Sequence, residues 1–281
     1  MKRNSCTAAL LLIATLHCLS QSFRQPLTTI YTGLTAYSTQ QGDALSYLNN
    51  QAALATVKNI TAGVHGERRF LLAATSLYAA AVAVPTSNGN FGMAVHYSGF
   101  KNFNESQVGL AYARGLGKKL DVGIQFNYYS YRVPSYISSG TITVEIGTVM
   151  HLTDKLNLGL HVYNPVGGKF SKTDERLTST VTVGAGYDVN DHFFIATEIV
   201  KEENFPVNIN TGVQYQFMKQ FFARVGMATA TSAGYAGFGI GWNNFRLDIT
   251  GNYHPQLGLS PGLFLIINFE SVSKSAADET P

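Results

Sequence analysis

The chain has 281 residues, of which 45% are hydrophobic and only 13% charged, about half the roughly 25% charged content of an ordinary soluble domain. Aromatic residues make up 12%, and 27 glycines stand against 8 prolines. So little charge with so many aromatics argues against a disordered chain, and glycine, which costs about 1 kcal/mol relative to alanine inside a helix, argues against a long helical bundle.

Lys2 and Arg3 give a basic start, an apolar run covers residues 8–16, and Ser20 and Ser22 supply small residues before a cut. This is the layout of a secretory signal peptide over residues 1–22. The apolar run is too short for a membrane-anchor helix, which takes about 20 residues. A lipoprotein cut before Cys18 is the third reading, and His17 suits it poorly. Cys6 and Cys18 both fall in the leader, so the exported chain holds no cysteine, which excludes a disulfide scaffold, thiolate chemistry and cysteine metal sites. The leader takes two of the 20 Lys+Arg and none of the 17 Asp+Glu. What remains is close to neutral, with no basic patch, and nucleic acid is a poor partner.

Residues 23–57 lack strand alternation. Within them Asp43-Ala44-Leu45-Ser46-Tyr47-Leu48, followed by Asn49-Asn50-Gln51-Ala52-Ala53-Leu54-Ala55, reads as a turn and a short helix. The expectation is a hatch folded into the periplasmic mouth of a barrel; the alternative is a flexible leader outside it.

From Lys58 to Phe269 the dominant period is two. Val122, Ile124, Phe126 and Tyr128 alternate with Gly123, Gln125 and Asn127; Val207, Ile209, Val213, Tyr215 and Phe217 alternate with Asn208, Asn210, Gly212, Gln214 and Gln216. Successive strand side chains point to opposite faces, so each stretch has one apolar and one polar face. About 14 such stretches run near 58–66, 71–84, 90–99, 106–114, 120–131, 139–152, 155–163, 178–187, 192–202, 206–217, 221–229, 234–242, 244–253 and 261–269. The stretch 71–84 is alanine-rich and competes with a helix, and Pro85 is expected to stop it. Connectors after even-numbered stretches are short and turn-like, whereas several of the others are long. An even strand count with tight turns at one end describes an outer-membrane, up-and-down antiparallel β-barrel over residues 58–269. A soluble barrel or sandwich is the competing architecture, and it would carry more charge on its exposed face.

Tyr112, Tyr187, Phe217, Trp242 and Phe269 each fall near the end of an even-numbered stretch, which puts them at one level as a periplasmic aromatic girdle. Tyr128, Tyr131 and Tyr253 are assigned to the opposite girdle. The closing stretch, with Leu263, Leu265, Ile267 and Phe269, has the form read by barrel-assembly machinery. A polar tail, 270–281, follows it and is expected to be disordered in the periplasm.

Glu145, Glu198, Arg224, Arg246 and Asp248 fall in the inward phase. An Arg facing lipid near the midplane would cost roughly 2–4 kcal/mol; inside, these charges form a lumen polar network. Gly237 and Gly239 lie on the stretch between Arg224 and Arg246, making room for those side chains or for a ligand's anionic group. Catalysis finds little support, because His65, His96, His151, His161, His192 and His254 are scattered without metal-ligand spacing. A lipid hydrolase would need Ser, His and an orienting group together, and Ser98, Ser260, His96 and His254 do not declare such a set. Gly237, Gly239 and Gly241 alternate with Phe238, Ile240 and Trp242, so they are strand glycines and not a phosphate loop. No cofactor is called for.

Asn50-Gln51-Ala52-Ala53-Leu54-Ala55 resembles the Asn-Pro-Ala-x-Leu-Ala signature of PorV/PorQ-like and fatty-acid-transporter (FadL-like) outer-membrane barrels, with Gln51 where that signature has Pro. Gly66-Glu67-Arg68-Arg69-Phe70 resembles the short motif after the first strand in the Bacteroidota members, and Tyr163-Asn164-Pro165 is similar to that group as well. The resemblance implies a 14-stranded barrel with an N-terminal hatch. It implies either passage of hydrophobic small molecules or service in type IX secretion, with secretion-system components as partners. Two further classes stand beside it: a surface docking platform using residues 164–177, and an integral-membrane lipid hydrolase.

Overall fold

The computed structural model describes residues 34–38, 42–173 and 175–269. The expected signal peptide and the expected tail lie outside the described residues. Fourteen strands follow one another: β1 (Ile60–Arg68), β2 (Ser76–Thr86), β3 (Gly89–Phe100), β4 (Phe103–Gly115), β5 (Leu120–Val133), β6 (Ile137–His151), β7 (Leu156–Tyr163), β8 (Thr180–Asn190), β9 (Phe193–Glu202), β10 (Asn208–Gln216), β11 (Phe221–Ala228), β12 (Ala233–Trp242), β13 (Phe245–His254) and β14 (Gly258–Phe269). Each pairs with its sequence neighbours, and β1 pairs antiparallel with β14, closing the barrel. Closure satisfies every strand edge, the condition for β-structure in hydrocarbon. No helix among the described residues is long and apolar enough to cross a membrane.

The alternation of burial along each strand follows the sequence period. On β5, Val122, Ile124, Phe126 and Tyr128 face out, while Gln125, Asn127 and Tyr129 are buried inside. On β13 Phe245, Leu247 and Ile249 are exposed and Asp248 is buried. The outer wall is thus apolar and the inner wall polar or small, the arrangement of a transmembrane barrel. The turns at the end where β1 begins and β14 finishes are short. Asn243 takes a left-handed φ of 51° between β12 and β13, a conformation asparagine tolerates better than most residues.

The stretch expected from residue 71 pairs only from Ser76, because Phe70 and Leu71 adopt left-handed φ values of 55° and 59° and short 3-10 turns occupy Arg69–Leu71 and Ala73–Thr75. The alanine run then pairs as strand, and Pro85 does not stop it: β2 continues to Thr86. Beyond Ala83, β2 keeps register with β3 alone, an edge-like position that a proline tolerates.

Candidate functional site

The lumen is filled from the end where β1 begins and β14 finishes. Residues 34–38 and 42–57 lie against inward positions of β1, β3, β5–β8, β10 and β13, with Ser46–Leu48 and Gln51–Thr56 wound as 3-10 turns. Leu34, Tyr37, Leu45, Tyr47, Leu48 and Leu54 are buried there. The wall facing them is made of the smallest residues: Ala81, Ala83, Ala94, Ala111 and Ala113 pack on the segment. Glycine is required where the segment's backbone or rings touch the wall. A Cβ on Gly63 or Gly92 would meet Leu45 or Tyr47 at 2.8 Å, and one on Gly123, Gly147 or Gly184 would meet Gln51, Asn50 or Tyr37 closer still.

Side-chain ties fix the segment. Glu145, with 0% of its surface exposed, accepts from Gln51 Nε2 at 2.6 Å, Asn127 Nδ2 at 2.7 Å and Gln125 Nε2 at 3.2 Å, and pairs with His161 Nε2 at 3.0 Å. Asn50 caps its turn, its Oδ1 accepting from the Ala52 N–H at 3.1 Å, while its Nδ2 donates to the Thr148 carbonyl at 3.2 Å. Ala52 and Leu54 are fully buried and Ala55 is partly buried. Asn90 Nδ2 donates to the Leu54 and Val57 carbonyls at 2.7 and 2.8 Å. Gln51 therefore fits without the proline of the resembling signature, by reaching Glu145.

The second tie is ionic. Asp43 Oδ2 lies 2.9 Å from Arg246 Nη1, and Arg246 Nη2 lies 2.9 Å from Asp248 Oδ2, which is 3.7 Å from Arg224 Nη1. Arg224 also bonds Gln214. The Phe222 ring sits under both guanidiniums, 4.7 Å from Arg224 Cζ and 5.4 Å from Arg246 Cζ. Gly239 is left bare because Phe222 and Asp248 fill the space its side chain would take. A third tie runs from Tyr37 Oη to Glu198 at 3.4 Å; Glu198 also accepts from Asn210 Nδ2 at 2.7 Å. Burial, and then the Glu198 carboxylate, push the Tyr37 phenol well above its ordinary value, so it remains the donor. The five inward charges thus do not form one network. Arg224, Arg246 and Asp248 meet, whereas Glu145 and Glu198 lie apart from them, with His161, which pairs with Glu145, also in electrostatic reach of Glu198.

The other mouth is narrowed by the β7–β8 connection, 164–179. It makes a small hairpin, Leu177 N–H donating to the Gly168 carbonyl at 3.1 Å and Asn164 Nδ2 to the Leu177 carbonyl at 2.7 Å. Phe170 and Leu177 are buried against Tyr129, Tyr131 and Tyr163. Tyr131 belongs to this cluster and not to an outer girdle: it differs from Tyr128 by an odd number of residues, so the two face opposite ways. Tyr128 and Tyr253 do face outward.

At the short-turn end Tyr187, Phe217, Trp242 and Phe269 are exposed on the outer surface, Trp242 at 70%, and Tyr112 faces outward against Phe91 with ring centroids 5.1 Å apart. Among the described residues no group of three or more His, Cys, Asp or Glu could hold a metal. Sequence reasoning missed Asp43 and Tyr37 as the segment's own tying residues and the inward glycines as its seat. Glycine at inward strand positions, as at Gly63, Gly92, Gly123 and Gly147, was the available signal.

Fold and lumen together define a 14-stranded transmembrane β-barrel whose bore holds an inserted N-terminal segment. No family model and no characterised protein matches the sequence. Solved structures share the fold. A Pseudomonas aeruginosa FadL homologue aligns at TM-score 0.64 and 11% identity, over 88% of this chain and 100% of that one. The P. putida toluene transporter TodX aligns at TM-score 0.62 and 8% identity, over 85% of this chain and 98% of that one. The CymD monoaromatic hydrocarbon channel aligns at TM-score 0.61 and 11% identity, over 85% and 98%. Two of these neighbours are described as a transporter and a channel.

Proposed function

We propose that the protein is an outer-membrane channel for a hydrophobic small molecule, exported by a signal peptide at 1–22, with residues 23–57 forming its hatch. The observation that carries this reading is the inserted segment, tied at Glu145, Arg246 and Glu198. A bore so filled is no open aqueous pore, and barrels of the same fold include a toluene transporter and a hydrocarbon channel. Short turns at the end where β1 begins and β14 finishes support a periplasmic orientation for that end. Uptake of labelled toluene and of a labelled long-chain fatty acid, in cells with and without the gene, is the test: faster entry of either supports the reading, and equal entry of both refutes it.

The narrower reading, a PorV/PorQ-like barrel of a Bacteroidota serving type IX secretion, rests on the Asn50–Ala55, Gly66–Phe70 and Tyr163-Asn164-Pro165 motifs alone. For a docking role of 164–177, Phe170 and Leu177 are turned in on Tyr129 and Tyr163, while Val166, Lys169 and Arg176 are exposed. Co-purification of secretion components, lost on trimming that connection, would support it.

A further inference from the structure

On the lipid-facing side of β2–β5 the outer wall is indented. The groove has a volume of about 440 Å³ and is lined by Val84, Phe91, Met93, Leu110, Tyr112 and Phe126 among others, all apolar apart from one phenol. Its floor is the backbone at Gly92 and Ala111, whose side-chain positions face the bore. The lining falls in two outward register rows, Val82–Met93–Leu110–Phe126 and, nearer the short turns, Val84–Phe91–Tyr112–Ile124. The next outward position on β4 beyond Tyr112 is Arg114, about 7 Å rimward at roughly 3.4 Å per residue. Arg114 is exposed, and the β4–β5 turn that follows adds exposed Lys118 and Lys119. The nearest carboxylate in sequence, Asp121, turns inward onto His151 Nε2 at 2.8 Å. Tyr112 Oη donates to the Asn88 carbonyl at 2.7 Å, marking the level where apolar wall gives way to polar rim.

We propose that this face is a binding site for one anionic glycerophospholipid of the surrounding leaflet, its acyl chain lying in the β2–β5 groove and its phosphate headgroup held by Arg114, Lys118 and Lys119. Apolar groove and cationic rim follow one another along the strand direction, the order of chain and headgroup in a lipid. The volume lies within the roughly 300–1,000 Å³ of ordinary ligand sites, and cations at the interface attract anionic headgroups. The site is separate from the bore and does not depend on what the channel carries.

The test is native mass spectrometry of the full barrel released from detergent, titrated with phosphatidylglycerol and with phosphatidylcholine of identical chains. Phosphatidylglycerol is expected to be retained in preference. The triple variant Arg114→Gln, Lys118→Gln, Lys119→Gln should weaken it about 100-fold, a factor of about five per charge. Leu110→Trp, which fills the groove, should weaken both lipids alike; Met93→Trp replaces it if that chain does not fold. Equal retention of the two lipids by the wild type, an unchanged preference in the triple variant, or undiminished binding in the groove-filling variant would each overturn the proposal.

Discussion

Replacing Glu145 with leucine should destabilise the bore and loosen the inserted segment. The carboxylate is fully buried and accepts from Gln51, Asn127 and Gln125 while pairing with His161. Hydrogen bonds to a charged group contribute about 1.5–3 kcal/mol each, and removing one partner of a buried pair costs about 3–5 kcal/mol. The costs do not add fully, because Gln125 Nε2 already donates to Asn127 Oδ1 at 2.7 Å and keeps that bond. A total of about 3–5 kcal/mol is expected, of which about 1.5–3 belongs to the Gln51 tie. Glu145→Gln keeps an acceptor but turns an amide donor toward other donors, and should fall between. The assay is urea unfolding of the barrel in micelles. Trp242, the sole tryptophan and outward on β12, serves as a probe of barrel opening, and limited proteolysis within 42–57 reports release of the segment. A double-mutant cycle with Gln51→Leu isolates their coupling. If Glu145→Leu stays within about 0.5 kcal/mol of the wild type with unchanged proteolysis, the ties are not what holds the segment.

Gly184→Leu should expel Tyr37 from its seat, since even a Cβ there overlaps the ring; cleavage near residues 34–38 by added protease should rise while the barrel remains heat-modifiable on gels. Arg246→Met removes the cation between Asp43 and Asp248, and a loss of about 3–5 kcal/mol in urea unfolding is expected, less if Arg224 swings onto Asp248. Val225→Arg puts a cation on the lipid face in the middle of β11, at a cost of roughly 2–4 kcal/mol read in the same unfolding assay.

The barrel was legible because lipid outside and a polar bore inside impose a strict period of two, which a one-residue slip would invert. That is why Val122–Tyr128 and Val207–Phe217 read correctly against the bore-facing Gln125 and Asn210. β2 misled at its start because the left-handed turn at Phe70 and Leu71 is set by contacts such as the Phe70 N–H donating to Ser260 Oγ at 2.9 Å, 190 residues away. Tyr131 was misassigned where position near a strand end was weighed above parity. The charges could be placed inward one by one, but not sorted into clusters. Which of them meet depends on barrel register and on Asp43, Gln51 and Tyr37 of the inserted segment, pairings 94 to 203 residues apart. The inward glycines were visible as letters; only the segment lying on them gives them meaning.

Single-channel current across a planar bilayer tests the central claim most directly, comparing the exported chain with one lacking residues 34–57. The account predicts a nearly silent intact barrel and a clear rise in conductance once the segment is gone. An intact barrel that already conducts as an open pore, or a shortened one that stays silent, would contradict it.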